Sequence, residues 1–557
     1  MGTSVLHIKT EVECKVFLFD EEKGIATPSK YFNLEVRKGE QDLLFISVLD
    51  QDIQCSISYQ VEESDCDYHL TLEESQFMAR RNSLFELLST EVTDEEVTEG
   101  TEDNSGVIYS RDGSQLLQCK NKDIASYEVK EGCIVIRESA FRECENLVNI
   151  TLPIGLTHLG DCVFYECRKL SNISLPSSLT HIGGGAFLNC ESLTSLIFPS
   201  SITYIGDSAF SGCHRLTNIT LPNCLSHIRE STFNGCDRLS NITLPTCLTH
   251  IGDDAFWGCH SLTSIKLPTC LTHIGDSAFY GCRKLSNITL PSSLTHIGSR
   301  PFEFTQIHYI VSESPNFIFS KGCLIDVMAQ KLIACLSEEE SVDLPEGLMV
   351  IDDDAFHMCE NLYRITLPMS LTYIGDSAFS GCENLTFITL PMSLTHIGEY
   401  AFEKCRKISS INLPHGITQI EEGTFMDCEN LFNVTLPDGL TYIGDRAFSN
   451  CHNLSNITFP KGLTGIGEYA FSDCSKLLNI ILPNGLTQIW EYAFIGCESL
   501  SNITLPSTLL RNLTDMYDVF YNCKKLSSIY IPFGTRGDFE KLLPENLHDK
   551  LIEKPNK

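Results

Sequence analysis

Apolar residues recur along most of the chain in one short pattern. Phenylalanines stand 23 residues apart from Phe141 to Phe302, and the same step resumes from Phe356 to Phe494. Within a unit such as residues 216–236, LTNITLPNCLSHIRESTFNGC, leucine and isoleucine first alternate with polar residues and then lead into turn residues. A fixed step of about 20 to 50 residues is typical of stacked repeats. The pattern predicts a mainly β repeat protein, a solenoid with a parallel sheet on one face.

The first 88 residues lack this step. They alternate apolar and polar residues in short runs such as VLHIKT and CKVFLF, which predicts a small antiparallel β-sandwich. The segment over 72–88 predicts a helix that ends this domain. Residues 89–104 are strongly acidic and almost free of apolar residues, which predicts a solvated linker.

A second motif occurs twice. The sequence GVIYSRDGSQLLQC at 106–119 aligns without a gap with GCLIDVMAQKLIAC at 322–335, and the Asp-Gly pair of the first copy predicts a hairpin. The long step between Phe302 and Phe356 is therefore an inserted hairpin. We expect a solenoid over 105–535 in two blocks, 105–302 and 317–531, followed by a capping helix and tail over 536–557.

The repeat motif Leu-x-x-Ile-x-Leu-Pro-x-x-Leu-Thr-x-Ile-Gly-x-x-Ala-Phe-x-x-Cys resembles the BspA-like leucine-rich repeat family over residues 106–535. The resemblance implies a leucine-rich-repeat solenoid and a role in adhesion or host interaction, commonly on a bacterial surface. The N-terminal strand pattern resembles the small PEGA-type domains of bacterial surface and periplasmic proteins.

The chain has 26 cysteines, and their positions follow the repeat. Fifteen lie three residues after a repeat phenylalanine, so they predict a buried, reduced column in which cysteine acts as a small apolar residue. Disulfides or metal binding are the alternatives. Cys224, Cys247 and Cys270 form a shorter column at a turn, where we expect them to be accessible and open to oxidation.

The formal net charge of −33 argues against nucleic acid and anionic membrane surfaces as partners. There is no apolar run of 18 residues and no visible signal sequence, so we expect no membrane insertion. The chain as given predicts a cytoplasmic location, whereas the family resemblance implies the cell surface or secretion.

The outward positions of the repeat strand form two columns of amides and hydroxyls with little charge. This strand face predicts a binding surface for a protein or a glycan, although threonine also favours strands for structural reasons alone. The candidate ligand-binding residues are Asn218, Thr220, Asn241, Thr243, Lys266, Asn287, Thr289, Arg364 and Phe387.

Two further columns have structural interpretations. Histidines of the Leu-Thr-His-Ile-Gly segment, from His158 to His396, predict a stacked aromatic column, with metal binding as the alternative. Acidic residues such as Asp207, before Ala-Phe, predict N-caps of a helical turn, with calcium binding as the alternative. No pattern predicts a catalytic site or a cofactor, so the sequence predicts a non-enzymatic binding scaffold. A ligand-free spacer and a metal-responsive protein are the other functions left open.

Overall fold

The structure is a computed structural model that describes residues 92–511, 516 and 518–555 and, before residue 92, the backbone of seven strands. These seven strands form two sheets. The predicted sandwich was antiparallel throughout, but Ser4–Thr10 pairs antiparallel with Phe32–Val36 and parallel with Asp67–Leu72. The predicted helix after Leu72 lies outside the described residues. The strands are Ser4–Thr10, Cys14–Leu18, Glu21–Ala26, Phe32–Val36, Gly39–Ser47, Gln54–Val61 and Asp67–Leu72.

The chain forms two compact units, residues 1–271 and 272–557. The boundary falls inside the first predicted block and not at the inserted hairpin. The insertion continues the ladders of the second unit on both sides. Ile310–Ser312 pairs parallel with Ile288–Leu290 before it, and Lys331–Cys335 pairs parallel with Val350–Ile351 after it.

Each repeat is a rung, and in most rungs the Leu-x-x-Ile-x-Leu segment forms a strand that pairs in parallel with the same strand of a neighbouring rung. In the first unit they are Ser126–Glu128, Asn149–Thr151, Asn172–Ile173, Asn218–Thr220 and Asn241–Thr243. In the second unit they are Ile288–Leu290, Ile310–Ser312, Ser341–Asp343, Arg364–Thr366, Ser410–Asn412, Asn433–Thr435, Asn479–Ile481, Asn502–Thr504 and Ser528–Pro532.

A second parallel ladder runs through the Leu-Thr-His-Ile-Gly segments, so the solenoid has two parallel ladders where the sequence predicted a sheet on one face. In the first unit its strands are Val135–Ile136, His158–Leu159, His181–Ile182, Tyr204–Ile205, His227–Ile228 and His250–Ile251. In the second unit they are His273–Ile274, His296–Ile297, Val350–Ile351, Tyr373–Ile374, His396–Ile397, Gln419–Ile420, Tyr442–Ile443, Gly465–Ile466 and Gln488–Ile489. Each strand is only two residues long, too short for alternation to reveal it.

The Ala-Phe segments are turns, and the helical turn expected there is wrong. Ser139 and Glu143, on either side of Phe141, have left-handed φ angles of 57° and 60°. With Phe141 they donate their N–H groups to carbonyls of the next rung, at distances of 2.7 to 2.9 Å. Other N–H groups of the segment, such as those of Arg142 and Cys144, donate to carbonyls three residues earlier in the same rung. The backbone groups of this segment are therefore satisfied partly between rungs and partly by tight turns.

Stacked phenylalanines fill the interior of each unit. The ring centroids of Phe187 and Phe210 are 5.2 Å apart, and Phe379 and Phe402 have the same spacing in the second unit. These four side chains have no exposed surface. A residue copied once per rung thus makes its main contacts with the same residue on neighbouring rungs.

The repeat cysteines pack beside this phenylalanine stack, and the 23 cysteines of the described residues are free thiols. Cys167 Sγ donates to the Phe141 carbonyl at 3.1 Å, and Cys213 Sγ donates to the Phe187 carbonyl at 3.3 Å. Burial raises the pKa of both thiols to about 12.

The two hairpins open with an added edge strand. In the first, Thr101–Glu102 pairs with Val107–Tyr109, which pairs with Gln115–Cys119. In the second, Phe317–Ser320 pairs with Cys323–Asp326, which pairs with Lys331–Cys335.

The predicted acidic linker contains regular structure in its second half. Asp94–Glu99 is a helix, and Thr93 and Glu96 form a reciprocal capping box at its start. Glu96 also pairs with the buried Arg137 at 3.3 Å, which explains why an acidic segment is held against the first unit. The linker prediction is therefore wrong for residues 94–99.

The C-terminal cap is broken by Pro544. A helix over Arg536–Leu542 is followed by a 3₁₀ turn over Glu545–Lys550, and Leu551–Lys554 then pairs parallel with Ser528–Pro532. Proline disfavours helical backbone in the residue before it, so the single predicted helix cannot continue. The segment still covers the last rung, because Phe539 and Leu547 are buried. A further 3₁₀ turn spans Ser507–Arg511.

Candidate binding surface

The predicted strand-face residues lie on exposed positions. In the first unit, Asn218 and Thr220 flank the buried Ile219, and Asn241 and Thr243 flank Ile242 in the next rung. The strands pair so that Asn218 lies beside Asn241 and Thr220 beside Thr243. The alternation of exposed and buried residues brings these four side chains together on one surface.

The asparagines of this surface are joined by hydrogen bonds between side chains. Asn241 Nδ2 donates to Asn218 Oδ1 at 2.9 Å, and Asn172 Nδ2 donates to Asn149 Oδ1 at 2.7 Å. Asn241 Nδ2 also donates to Ser240 Oγ at 3.2 Å, so both of its donor hydrogens are engaged. A carboxamide oxygen has two acceptor lone pairs, so the acceptor side of Asn241 has capacity for a ligand. The ladder fixes the direction of the amides and thereby orders a row of donors and acceptors.

The remaining candidates are distributed over both units. Lys266 is exposed in the first unit, next to the buried Ile265. Asn287 and Thr289 are exposed in the second unit. Arg364 and Phe387, also in the second unit, lie beside each other through a parallel bridge between rungs.

The strand face of the second unit carries aromatic and apolar side chains. Phe387 is 54% exposed, and its ring meets the edge of the exposed Tyr363 ring at a centroid distance of 5.2 Å. Phe432 and Ile481 are also exposed. In the first unit Ile197 is 88% exposed on the same face, so both units offer places for apolar contact beside the polar rows.

The histidine column is stacked, as the sequence predicted. The rings of His158 and His181 are 4.5 Å apart, as are those of His227 and His250. The Nδ1 atom of His227 lies 2.8 Å from the hydroxyl of Ser226, which engages one ring nitrogen. Among residues 92–555, as far as they are described, no group of three or more His, Cys, Asp or Glu is arranged to hold a metal ion.

The acidic column connects rungs. Asp161 Oδ1 accepts from Gly184 N at 2.6 Å, and Asp376 Oδ1 accepts from Glu399 N at 2.7 Å. Each carboxylate satisfies a backbone N–H of the following rung, which is a structural task. The sequence predicted that these residues cap a helical turn, and that prediction is wrong, because the carboxylates accept from N–H groups 23 residues away.

An open cavity of about 540 Å³ borders the second hairpin, and the repeat pattern did not predict it. Its floor includes Ile325 and Leu348, and the exposed Ile318 and Val327 lie at its rim. A signal was present in the two aligned hairpin copies. The first copy has Arg111 where the second has Val327, so a charged residue is replaced by an exposed apolar one.

A scan against protein families matches the model described as "BspA type Leucine rich repeat region (6 copies)" to residues 118–226, 204–326, 334–451 and 418–537. These matches cover more than half of the chain. The chain belongs to the BspA-type leucine-rich repeat family. Members of such repeat families are generally non-enzymatic binding scaffolds, and the match indicates no enzyme family. The resemblance of the N-terminal domain to PEGA-type domains lies outside the matched residues and stays a prediction.

Solved structures of bacterial leucine-rich repeat proteins are similar to this BspA-type chain. A leucine-rich repeat protein from Bacteroides ovatus is 25% identical, with 77% of this chain and 98% of that one covered and a TM-score of 0.38. A leucine rich cell surface protein from Faecalibacterium prausnitzii is 23% identical, with coverage of 80% and 97% and a TM-score of 0.35. A leucine-rich repeat protein from Eubacterium ventriosum is 21% identical, with coverage of 70% and 92% and a TM-score of 0.41. No curated protein matches the chain.

The described part of this BspA-type protein contains no helix that is both long and apolar enough to span a bilayer.

Proposed function

We propose that this protein is a non-enzymatic, adhesion-type scaffold whose repeat strand face binds a protein or glycan ligand at the cell surface or after secretion. The observation that carries the proposal is the ordered row of exposed amides and hydroxyls, held by bonds such as Asn241 Nδ2 to Asn218 Oδ1. Such a row suits the hydroxyl groups of a glycan or the backbone of an extended polypeptide. The family supports binding as the role of the scaffold.

The strand face presents the same residues on successive rungs, and this repetition also favours an extended ligand. Thr220 and Thr243 repeat one rung apart, as Asn218 and Asn241 do, at the spacing of about 4.8 Å between paired strands. A ligand with a repeating unit can therefore make the same contact on successive rungs. Contacts repeated in this way add up without any single one being strong.

The test uses the full-length protein, a glycan array, and pull-down of proteins from host-cell and bacterial surface extracts. The variant Asn218→Glu/Thr243→Glu places two carboxylates diagonally across neighbouring rungs, where repulsion between them is smaller than for a directly opposite pair. We expect the affinity for any ligand found to fall at least tenfold, equivalent to about 1.4 kcal/mol, because the charges disrupt a neutral hydrogen-bonding surface. Circular dichroism should be unchanged, since both residues are exposed.

The matched control changes the other ladder in the same two rungs. His227→Gln/His250→Gln should leave binding unaltered, because these side chains belong to the second strand of each rung. Loss of binding in the histidine variant with full binding in the glutamate variant would assign function to the histidine column. Zinc- or copper-dependent binding in that experiment would support the metal-responsive alternative. The absence of any saturable ligand would favour a spacer.

A further inference from the structure

The cavity at the second hairpin has the size and lining of a binding site. Its volume of about 540 Å³ lies within the range of about 300 to 1,000 Å³ found for ligand pockets. The floor is apolar and includes the buried Cys323, Ile325, Leu344 and Leu348. The cavity lies on the surface of the second unit and contains none of the strand-face candidates.

The first hairpin shows what fills the corresponding space. Tyr109 occupies the position of Ile325, and Tyr127 occupies that of Val342. Both tyrosines are buried, and their hydroxyls are joined by a hydrogen bond of 2.7 Å. The phenol oxygen of Tyr109 also accepts from Lys130 N at 3.2 Å. Ile325 lines the cavity, whereas Val342 does not. Isoleucine in place of tyrosine at position 325 therefore removes side-chain volume from the floor of the cavity.

The residues at the rim of the cavity also differ between the two hairpins, being polar in the first and apolar in the second. Where the first hairpin has the exposed Arg111 and Asp112, the second has Val327 and Met328, which are 40% and 79% exposed. Ile318, 50% exposed, pairs opposite Ile325 in the position that Thr101 holds opposite Tyr109. The first copy folds with polar residues at these places, so folding does not require the apolar ones. Exposed apolar side chains grouped around a cavity indicate an interaction surface.

We propose that the second hairpin is a docking site for a polypeptide partner that inserts an aromatic side chain next to a basic residue. The aromatic anchor follows from the first hairpin, where tyrosine side chains occupy the equivalent space. The partner's basic residue, next to its aromatic anchor, is inferred from the negative charge of the cavity lining and of the whole protein. The exposed Asp343 and Glu346 line the cavity together with Lys321, so the lining carries one net negative charge, and the whole protein carries a formal charge of −33. In the first hairpin Lys130 Nζ lies 4.2 Å from the centroid of the Tyr109 ring, so this module already contains the same pair of groups.

The experiment measures binding of fluorescein-labelled nonapeptides to the full-length protein by fluorescence polarisation. The peptides share one polar sequence and differ at the centre, which is tyrosine, leucine or alanine, and at the next residue, which is lysine or glutamate. We expect the Tyr-Lys peptide to bind at least tenfold more tightly than the alanine-centred and the glutamate-containing peptides. Binding of the Tyr-Lys peptide weaker than about 1 mM would contradict the proposal.

Two variants test the location. Val327→Arg restores the residue of the first hairpin on an exposed position, so it should not impair folding, and we expect at least tenfold weaker binding of the Tyr-Lys peptide. Ile325→Phe adds an aromatic ring to the floor and should weaken binding in the same way. Ile154→Arg, which changes an exposed apolar residue in the first unit, is the matched control and should bind normally.

The peptide-binding experiment distinguishes a failure of the docking site at the second hairpin from a failure of the strand-face proposal. Asn218→Glu/Thr243→Glu should bind the Tyr-Lys peptide as the parent protein does. Binding that is lost in this variant but kept in Val327→Arg and Ile325→Phe would overturn the docking site at the hairpin while supporting the strand face. Equal binding of tyrosine-, leucine- and alanine-centred peptides would also overturn it, because no aromatic anchor would then be recognised.

Discussion

A cysteine in nearly every repeat acts as an interior residue, and many of these cysteines donate a hydrogen bond to a carbonyl of another rung. Cys167 and Cys213 donate to phenylalanine carbonyls, and burial raises their thiol pKa to about 12. Since the thiolate is the reactive form, these side chains are protected chemically as well as by burial. Cys224, Cys247 and Cys270 differ, because all three are exposed.

We predict that alkylation of the native protein, mapped by mass spectrometry, labels Cys224, Cys247 and Cys270 at least tenfold faster than Cys213. Cys247→Ser should remove only its own labelled site, because Ser201 occupies the equivalent position of another rung and donates to Leu179 O at 2.6 Å. After denaturation without oxidants, nearly all 26 thiols should titrate. Ten or more disulfides would contradict the assignment of a reduced column.

The sequence predicted which residues point inward, because leucine, phenylalanine and cysteine repeat at fixed places. It could not predict the left-handed residues around each phenylalanine. Ser139 has a φ of 57° and donates to Asp161 O in the next rung, so its conformation depends on a partner 22 residues away. Local propensity favours a helix cap for the same residue type. The hydrogen bond to the next rung, and not the local propensity, therefore determines the backbone conformation of Ser139.

At the scale of elements, the inserted hairpin requires a junction between rungs that are separated in sequence. Glu303 and His357, 54 residues apart, form a hydrogen-bonded ion pair at 2.5 Å. Arg300 lies 3.4 Å from Asp354 in the same junction. The hydrogen bond that Glu303 accepts from His357 raises the pKa of His357, with Asp354 acting in the same direction, whereas burial and Arg300 oppose the rise.

We predict that His357→Gln reduces the free energy of unfolding by about 2 kcal/mol at pH 6, the usual worth of a hydrogen bond to a charged group. A histidine pKa raised in the folded protein adds stability that is complete below the unfolded value of about 6.5 and disappears as pH rises through the folded value. The difference between parent and variant should therefore shrink from pH 6 to pH 9 in chemical denaturation. A constant difference over that range would contradict the ion pair. His308→Gln, at an exposed site, is the control.

Two residue patterns predict the observed helix boundaries, but the composition of the surrounding segments favoured other structures. Thr93 and Glu96 have the spacing of a capping box, yet the acidic composition around them favoured a linker. Pro544 marked the end of the last helix inside a segment whose apolar pattern favoured a single one. The contact between Glu96 and Arg137, 41 residues apart, could not be read from either segment alone.

At the scale of the whole molecule, repetition makes stability a local property of neighbouring rungs. Phe379 stacks on Phe356 and Phe402 at centroid distances of 4.9 and 5.2 Å, and Cys405 Sγ donates to its carbonyl at 3.2 Å. Its side chain has no exposed surface. Each rung is therefore supported mainly by the rungs on either side, as expected when contacts are limited to nearest neighbours.

We predict that Phe379→Ala lowers the free energy of unfolding of the second unit by about 3–5 kcal/mol, the cost of emptying a buried aromatic site. Hydrogen exchange should accelerate most between residues 351 and 425, because those rungs lose a packing partner directly or through one neighbour. Amides near Phe494 should keep most of their protection, since several intact rungs separate them from the space left by the Phe379 ring.

The exposed Phe387→Ala is the control for removing a phenylalanine without opening the interior, and should change stability by less than about 1 kcal/mol. Equal loss of protection near Phe379 and near Phe494 would show that the second unit unfolds as one cooperative block, and the nearest-neighbour description would then be wrong.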